Sequence, residues 1–444
     1  VNAPSTTEAD LFVEELHPSL SDPGLETMNF LNEVAHRFPK AVPFAAGRPC
    51  EEFFDLDALP RYLTTFQRYL ATEKGADERQ VRRTLLQYGR TKGIIHELLA
   101  RTLRLDEGIE VDPESIVVTA GCQEAMFLAL RALCASEQDV VLAVSPSYVG
   151  LTGAARLLDR EVWPVRETAH GVDLDHLVAQ VAAIRAVGKR PRAFYLVPDF
   201  ANPSGMSLDL DSRKALLDLA GQHDFLLLED NPYGVFQAED GPRVPTLKAL
   251  DTDRRVVYLG SLAKTCFPGA RVGYAVADQL VSSRHGGTGL LADELSKIKS
   301  MLTVNTSPLA QAMAGGKLLE HGCSLVRANQ AEIAVYRRNM RLLLDGLRRR
   351  FPAGQPHGVS WNTPSGGFFV VVTVPFVADD AMLEHSARRH EVLWTPMSHF
   401  YDGGGGANQL RLSISVVTPE QVETGLDRLL ALVEEQAHRA GAGN

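Results

Sequence analysis

The stretch 193–236, AFYLVPDFANPSGMSLDLDSRKALLDLAGQHDFLLLEDNPYGVF, decides the fold. It opens on a short apolar run, AFYLV, passes through a polar turn into SRKALLDLAGQHD, whose apolar residues recur at helical spacing, and returns to a second apolar run, FLLLED. Both runs are short and almost continuously apolar, as in strands covered on both faces. Working outward, the same alternation continues. Strand-like runs SIVVTA (115–120), DVVLAV (139–144) and EVWPV (161–165) lie upstream, and VVYLG (256–260) and RVGYAV (271–276) lie downstream. Helix-period segments GCQEAMFLALRALCASEQ (121–138) and LTGAARLL (151–158) fall between them. Strands alternating with helices specify an α/β fold: a mostly parallel sheet flanked by helices.

The texture changes after Gly316. A long basic and apolar helix is expected over 324–350, followed by strand candidates FFVVVTV (368–374), VLWTP (392–396) and LRLSISV (410–416), then a final helix through Leu432. At the other end, residues 1–60 are punctuated by proline and hold short amphipathic pieces such as ETMNFLNEVAHRF (26–38), where Met28, Leu31 and Val34 share a helix face. The expected division is an arm (1–60), a large domain (61–316) and a smaller α+β domain (317–444) that packs with the arm. The glycine run 403–406 reads as a mobile loop.

A chain of 444 residues exceeds the roughly 250–300 residues at which one core stops growing, so two domains and a cleft are expected. Its 45 Lys+Arg against 55 Asp+Glu give a net charge of −10, with no dense basic block, which argues against nucleic acid as a partner. Five scattered cysteines show no CxxC pair, and no histidine stands at metal-ligand spacing, so free thiols in a reducing cytoplasm and no metal are expected. The longest apolar stretch, 368–378, falls short of the ~20 residues that cross a bilayer, and the opening VNAPSTTEADLFVEEL is acidic where an export signal is basic then apolar. A cytoplasmic protein without a membrane partner is the expectation.

In an open α/β sheet, ligands sit where strands end. The residues just past each apolar run are Gly121-Cys122-Gln123, Tyr148, Asn202, Asp230 with Tyr233, and Ser261 to Lys264. Each has a plain explanation alone: a turn at Asn202-Pro203, a cap at Asp230, packing at Tyr148, a solvated loop at Lys264. Together they supply an imine-forming lysine, an acid for a pyridinium proton, donors for a phenolate and a cradle for a phosphate, which are the marks of a pyridoxal 5'-phosphate site. The turn before helix 122 offers free amides and a helix dipole to the phosphate.

Seven segments then carry a resemblance: QYGRTKG, TAGCQEA, SPSYVGL, YLVPDFANPSG, LLEDNPYGVF, GSLAKTCFPGARVGY and NQLRLSIS, in order across residues 46–415. The chain resembles the fold-type-I pyridoxal phosphate enzymes of the class I and II aminotransferases. That resemblance implies that Lys264 forms the imine and shuttles the proton, that Asp230 partners the pyridine nitrogen, and that Asn202 and Tyr233 donate to the ring oxygen. It places Tyr148 on the ring face, and Gly121, Cys122, Gln123, Ser261 and Arg271 around the phosphate. Tyr88 matches the tyrosine that reaches a neighbouring subunit's phosphate, which implies a homodimer with shared sites. Arg411 matches the arginine that grips the substrate α-carboxylate. Two departures, Ala263 and Cys122, each remove a side-chain oxygen that relatives offer the phosphate, and weaker cofactor binding is expected.

The substrate end is less legible. AAGRPCEEFF places Arg48 where many relatives are apolar, and GRP with MNFLNE resembles a natural-product subgroup that includes dihydroxyphenylglycine-type transaminases. Arg48 meets a distal substrate group or pairs with Glu51 or Glu52. His399 and Tyr401 touch substrate or lie in a surface loop. Amino transfer between an α-amino acid and an α-keto acid, in secondary metabolism, is the leading expectation. Elimination, replacement or carbon–carbon bond formation, including chemistry on S-adenosylmethionine, is the second. A cofactor-sensing transcription regulator is the third, disfavoured by the acidic charge and by a catalytic body that starts by residue 46.

Overall fold

The computed structural model describes residues 10–442, apart from 28–29, 31–32, 34–35, 169–170, 284–285, 353 and 355–357. Met28, Leu31 and Val34 lie outside the described residues. The large sheet has eight strands: β1 (Ile116–Thr119), β2 (Asp139–Ser145), β3 (Val162–Thr168), β4 (Gly171–Val172), β5 (Arg190–Leu196), β6 (Leu226–Asp230), β7 (Val256–Ser261) and β8 (Gly273–Val276). Their spatial order is β1-β8-β7-β6-β5-β2-β3-β4. The run β7-β6-β5-β2-β3 is parallel, while β8 lies antiparallel to both of its neighbours. Strands β1, β2, β6, β7 and β8 are buried on both faces, whereas β3 fully buries only Val165.

Topology fixes where a ligand fits. The chain steps from β2 to β3 in one direction, and from β5 through β6 to β7 in the other. The boundary between β2 and β5 is therefore a switch point, and its cleft opens at the carboxyl ends of the strands. Tyr148 follows β2 and Asn202 follows β5, so both stand at that cleft.

Helices α1 (Cys122–Leu133) and α2 (Leu210–His223) belong to this layer. Helix α2 starts where Asp209 accepts from the Ser212 amide at 2.8 Å. It carries the fully buried Arg213, which pairs with Asp199 at 2.5 Å and donates to the Pro198 and Leu208 carbonyls. The guanidinium thereby pins the loop that leads to Asn202. Glu229 points to the opposite face from Asp230, as strand alternation requires. It accepts the Leu247 and Lys248 amides at 2.8 and 2.7 Å, which accounts for a second buried carboxylate at the end of β6.

Helix α3 (Pro308–Glu320) runs across residue 316, so the change of texture seen there falls inside a helix. The single helix expected over 324–350 is in fact two, Leu325–Ala328 and α4 (Gln330–Arg350). Asn329 makes the break: its side chain donates to the Leu325 carbonyl at 2.7 Å, in competition with helical backbone pairing. Beyond it, β9 (Ser360–Trp361), β10 (Phe369–Thr373), β11 (Thr395–Pro396) and β12 (Gln409–Ser413) form an antiparallel sheet in the order β9-β10-β12-β11. The last helix, α5 (Pro419–Ala442), extends well past Leu432. Val42–Pro43 pairs in parallel with Val392–Leu393, and the buried Phe44 gives its carbonyl to the Ser413 amide at 2.7 Å. The segment that follows, through Arg48, is thus held beside β12. Among the described residues no helix is long and apolar enough to cross a membrane.

Candidate active site

Asp230 closes β6 with its carboxylate inside the fold, 4% exposed. Tyr195 stands opposite Leu228 on β5, so Asp230, two residues further on, lies on the same face within diagonal reach. The Tyr195 hydroxyl donates to Asp230 Oδ2 at 2.7 Å, and Cys122 Sγ donates to Oδ1 at 3.5 Å. Burial pushes the Asp230 carboxyl up to about 6, against the pull of these two donors and of Lys264.

Lys264 leaves the loop after β7 and donates from Nζ to the Gly47 carbonyl at 2.8 Å. Its Nζ stands 6.0 Å from the centre of the Tyr233 ring. Burial first, then the positive charges of Arg411 and Arg271, pull this amine down to about 8, with Asp230 opposing. A lysine so placed holds a substantial neutral, nucleophilic fraction near neutral pH.

An anion pocket forms at the start of α1. The first amides of a helix lack internal acceptors, and the dipole there favours negative charge. Gly121 precedes them at φ +81°, and a methyl group at that position would sit 2.4 Å from Arg271 Nη2. Only glycine lets the guanidinium lie against this turn. Arg271 forms no ion pair among the described residues. Ser261 faces the same region, its hydroxyl accepting the Ala263 amide at 3.2 Å. Gln123 donates to the Gly150 carbonyl at 2.6 Å, while its Oε1 is buried without a partner.

Arg411 sits in the middle of β12, opposite Val371 and Thr395, and is 3% exposed. It donates to Asn202 Oδ1, and from Nη2 to the Ala45 carbonyl and Thr395 Oγ1, each at 3.2 Å. Its guanidinium carbon lies over the rings of Phe369 and Phe400, 4.2 and 4.9 Å from their centres. Nε is buried without an acceptor, and no carboxylate meets the guanidinium among the described residues. Burial pulls Arg411 down to about 10. Asn202 and Arg411 also lie near enough to the Tyr233 hydroxyl to oppose the upward push of burial on it, so the three side chains cluster at one place.

Tyr148 and Tyr401 flank a buried cluster of Val149, Val371, Met397 and Phe400 that walls the cleft. The Tyr401 hydroxyl donates to Gln409 Oε1 at 3.2 Å, and the glycine run folds over its ring: a methyl on Gly405 would stand 2.5 Å from it. His399 bonds Asp380 at 2.7 Å. Arg48 is exposed and pairs with Glu51 at 3.4 Å. Tyr88 is 80% exposed on the single chain.

Asp230, Tyr233, Asn202, Lys264, Arg411 and the Gly121–Arg271 pocket are therefore brought to one cleft, which Tyr148 walls. Arg48, His399 and Tyr88 are engaged elsewhere or face outward on the single chain. Sequence reading passed over Tyr195, the Ala45 and Gly47 carbonyls, Thr395 and Phe369. The Cys122 thiol, expected near phosphate, is aimed at Asp230.

These groups suit pyridoxal phosphate. The Gly121–Arg271 cradle would suit a phosphate, Asp230 would suit a pyridinium nitrogen deep in the fold, and Lys264 offers an amine of lowered basicity. Known proteins agree. The family model described as aminotransferase class I and II matches residues 56–429. An (S)-3,5-dihydroxyphenylglycine transaminase from Amycolatopsis orientalis is 56% identical over 423 residues, covering 95% of this chain and 94% of that protein. The crystal structure of a multiple substrate aminotransferase from Thermococcus profundus superposes with a TM-score of 0.80 at 26% identity, covering 96% of this chain and 99% of the other. The α-aminoadipate aminotransferase of Thermus thermophilus, solved with N-(5'-phosphopyridoxyl)-L-leucine, gives 0.75 at 27% identity, covering 95% and 98%. A family match over most of the length, on a fold whose strand ends gather this chemistry, makes the chain a member of the class I and II aminotransferases and a pyridoxal phosphate-dependent transaminase.

Proposed function

We propose that Lys264 carries the cofactor and that Arg411 receives the α-carboxylate of the substrate. The observation that carries this reading is the state of Arg411: a buried guanidinium against two phenyl rings, with an orphaned Nε and no anionic partner among the described residues. Burying a charge costs several kcal/mol unless it is paired, so the site is built for an anion that arrives with the substrate. The bound cofactor supplies a cationic ring that accepts the electron pair left when a Cα bond breaks. The chain's residues do the rest. Asp230, kept in place by Tyr195, holds the proton on the pyridine nitrogen. Gly121, Cys122, Gln123, Ser261 and Arg271 hold the phosphate. Tyr148 covers the ring face, and Asn202 and Tyr233 donate to its oxygen. The forked grip of Arg411 orients the Cα–H bond toward the cleft, and Lys264 Nζ takes that proton.

The exposed Tyr88 ring reaches the phosphate of a neighbouring copy in this reading, so the working unit is a homodimer with shared sites. The chain divides into the arm 1–60, a large domain 61–316 and a small domain 317–444. The substrate pair is an arylglycine of the dihydroxyphenylglycine type and its keto acid, in cytoplasmic secondary metabolism. The 56% identity to a transaminase of (S)-3,5-dihydroxyphenylglycine supports this choice. Arg48 remains a candidate for the ring end of the substrate, should it leave Glu51.

A single-turnover experiment tests the reading. The cofactor-loaded enzyme is mixed with a panel of amino acids that includes (S)-3,5-dihydroxyphenylglycine, phenylglycine, phenylalanine and glutamate. The arylglycine should turn the lysine-bound cofactor band into that of the aminated cofactor and release one keto acid per site. No conversion by any member, or release of methylthioadenosine from S-adenosylmethionine without a keto acid, would overturn it.

A further inference from the structure

A second group of convergent side chains lies outside this cleft. The helix Asp380–His385 ends in a single π-turn, Ser386–His390. Five residues along an α-helix turn by a full revolution plus about 140°, which separates positions i and i+5. A π-turn closes i to i+5 and stacks them instead. His385 and His390 consequently share a face, with ring centres 5.9 Å apart. The turn is braced from within: the buried Ser386 hydroxyl donates to the Val392 carbonyl at 2.8 Å and accepts from Trp394 Nε1 at 3.0 Å.

Helix α5 passes alongside and presents Glu435. Its Oε2 lies 2.6 Å from His390 Nε2 and 3.3 Å from His385 Nε2. One turn later, Arg439 holds the other oxygen, Oε1, at 2.6 Å. Two imidazole nitrogens and one carboxylate oxygen, from two separate elements, thus lie within 4.8 Å of one another.

We propose that His385, His390 and Glu435 form a binding site for a divalent transition metal, with Zn2+ the ion that suits it best. Metal bonds of about 2.0–2.1 Å in a tetrahedron set neighbouring ligand atoms about 3.3 Å apart, which the His385–Glu435 pair already shows. The His390–Glu435 pair, at 2.6 Å, opens by about 0.7 Å to reach the same spacing, and the two imidazole nitrogens already lie within 4.8 Å of each other. Two imidazoles favour zinc over calcium or magnesium, which take oxygen ligands. Arg439 leaves Oε2 as the single donor atom of Glu435 and fixes its direction. The three side chains are 25%, 14% and 24% exposed, so water reaches the fourth position. The metal clips the π-turn to α5 and takes no part at Lys264. Histidines five apart match no α-helical ligand spacing, which is why the sequence pattern passes over them.

Titration of the cofactor-loaded enzyme with Zn2+ by calorimetry tests the site. One ion per chain should bind at micromolar affinity or tighter, and His390→Gln and Glu435→Gln should each weaken binding at least 100-fold without changing transaminase activity. Zn2+ should raise the Tm of the wild type and not that of the variants. Co2+ absorption on the unmodified enzyme guards against a variant that fails to fold: intense visible bands of a four- or five-coordinate ion are expected. His385→Gln, at the most exposed ligand, supplies a further variant. Absence of saturable binding, weak octahedral Co2+ bands, or equal affinity in the variants would leave only a hydrogen-bonded His–Glu–His cluster and overturn the proposal.

Discussion

Replacing Arg411 with glutamine should separate stability from activity. In the folded chain, burial lowers Arg411 from 12.5 to about 10, so keeping it charged without an anion costs on the order of 3 kcal/mol. Glutamine removes that penalty and still donates to Asn202. It leaves the Ala45 carbonyl and Thr395 Oγ1 short of a donor, at roughly 1–3 kcal/mol for each group left unsatisfied. The two effects oppose each other, and the net change in stability should lie between about 1 kcal/mol gained and about 3 kcal/mol lost, a shift in Tm that stays below about 10 °C. The substrate complex behaves differently. Losing one partner of a desolvated charge pair costs about 2–5 kcal/mol, which lowers kcat/KM by about 30-fold to several-thousand-fold. Differential scanning calorimetry of the cofactor-loaded variant and single-turnover kinetics with the arylglycine read the two quantities. A fall in Tm by more than about 10 °C together with a kcat/KM within tenfold of wild type would show that Arg411 is a structural residue and refute the reasoning.

Tyr195→Phe removes a donor from Asp230 with little loss of volume. Because a hydrogen bond to a charged group is worth about 1.5–3 kcal/mol, cofactor affinity measured by equilibrium dialysis should fall about 10- to 150-fold; unchanged affinity would count against the positioning role. The lowered basicity of Lys264 sets a pH dependence. The neutral amine gains population as pH rises through about 8, where an ordinary lysine needs about 10.5. Cofactor uptake by the apoenzyme should therefore accelerate up to about pH 8 and level off above it, and acceleration that begins only near pH 10 would contradict this. Tyr88 is tested by subunit mixing. Co-expressed Lys264→Ala and Tyr88→Phe chains should restore wild-type cofactor affinity at one site of the mixed dimer, whereas a Tyr88 that serves its own chain gives no such recovery.

Much of the site was legible because strand ends are marked in the sequence. Asp230 after FLLLE, Asn202 after the turn and Lys264 after VVYLGS each stand where an apolar run stops. Tyr195 was not legible, since it lies inside a strand and reads as core. Its role depends on the register that sets it opposite Leu228, and register belongs to the pairing of two strands rather than to either alone. A tyrosine amid a fully buried strand does carry one signal, a hydroxyl that needs a partner. The Gly47 and Ala45 carbonyls escaped because any residue supplies a carbonyl, and their approach depends on Phe44 docking against β12 from more than 360 residues away in the chain. The antiparallel β8 was readable as a strand but not as a reversed one, because RVGYAV has the same apolar character in either direction. Asn329 breaks the expected 324–350 helix through a side-chain bond that helical periodicity does not register.

The most direct measurement is borohydride reduction of the cofactor-loaded enzyme followed by peptide mass mapping. The pyridoxyl group should be found on Lys264, in stoichiometric amount, with prior addition of the arylglycine preventing its attachment. A pyridoxyl group on another lysine such as Lys299 or Lys317, or on none, would contradict the assignment of the site.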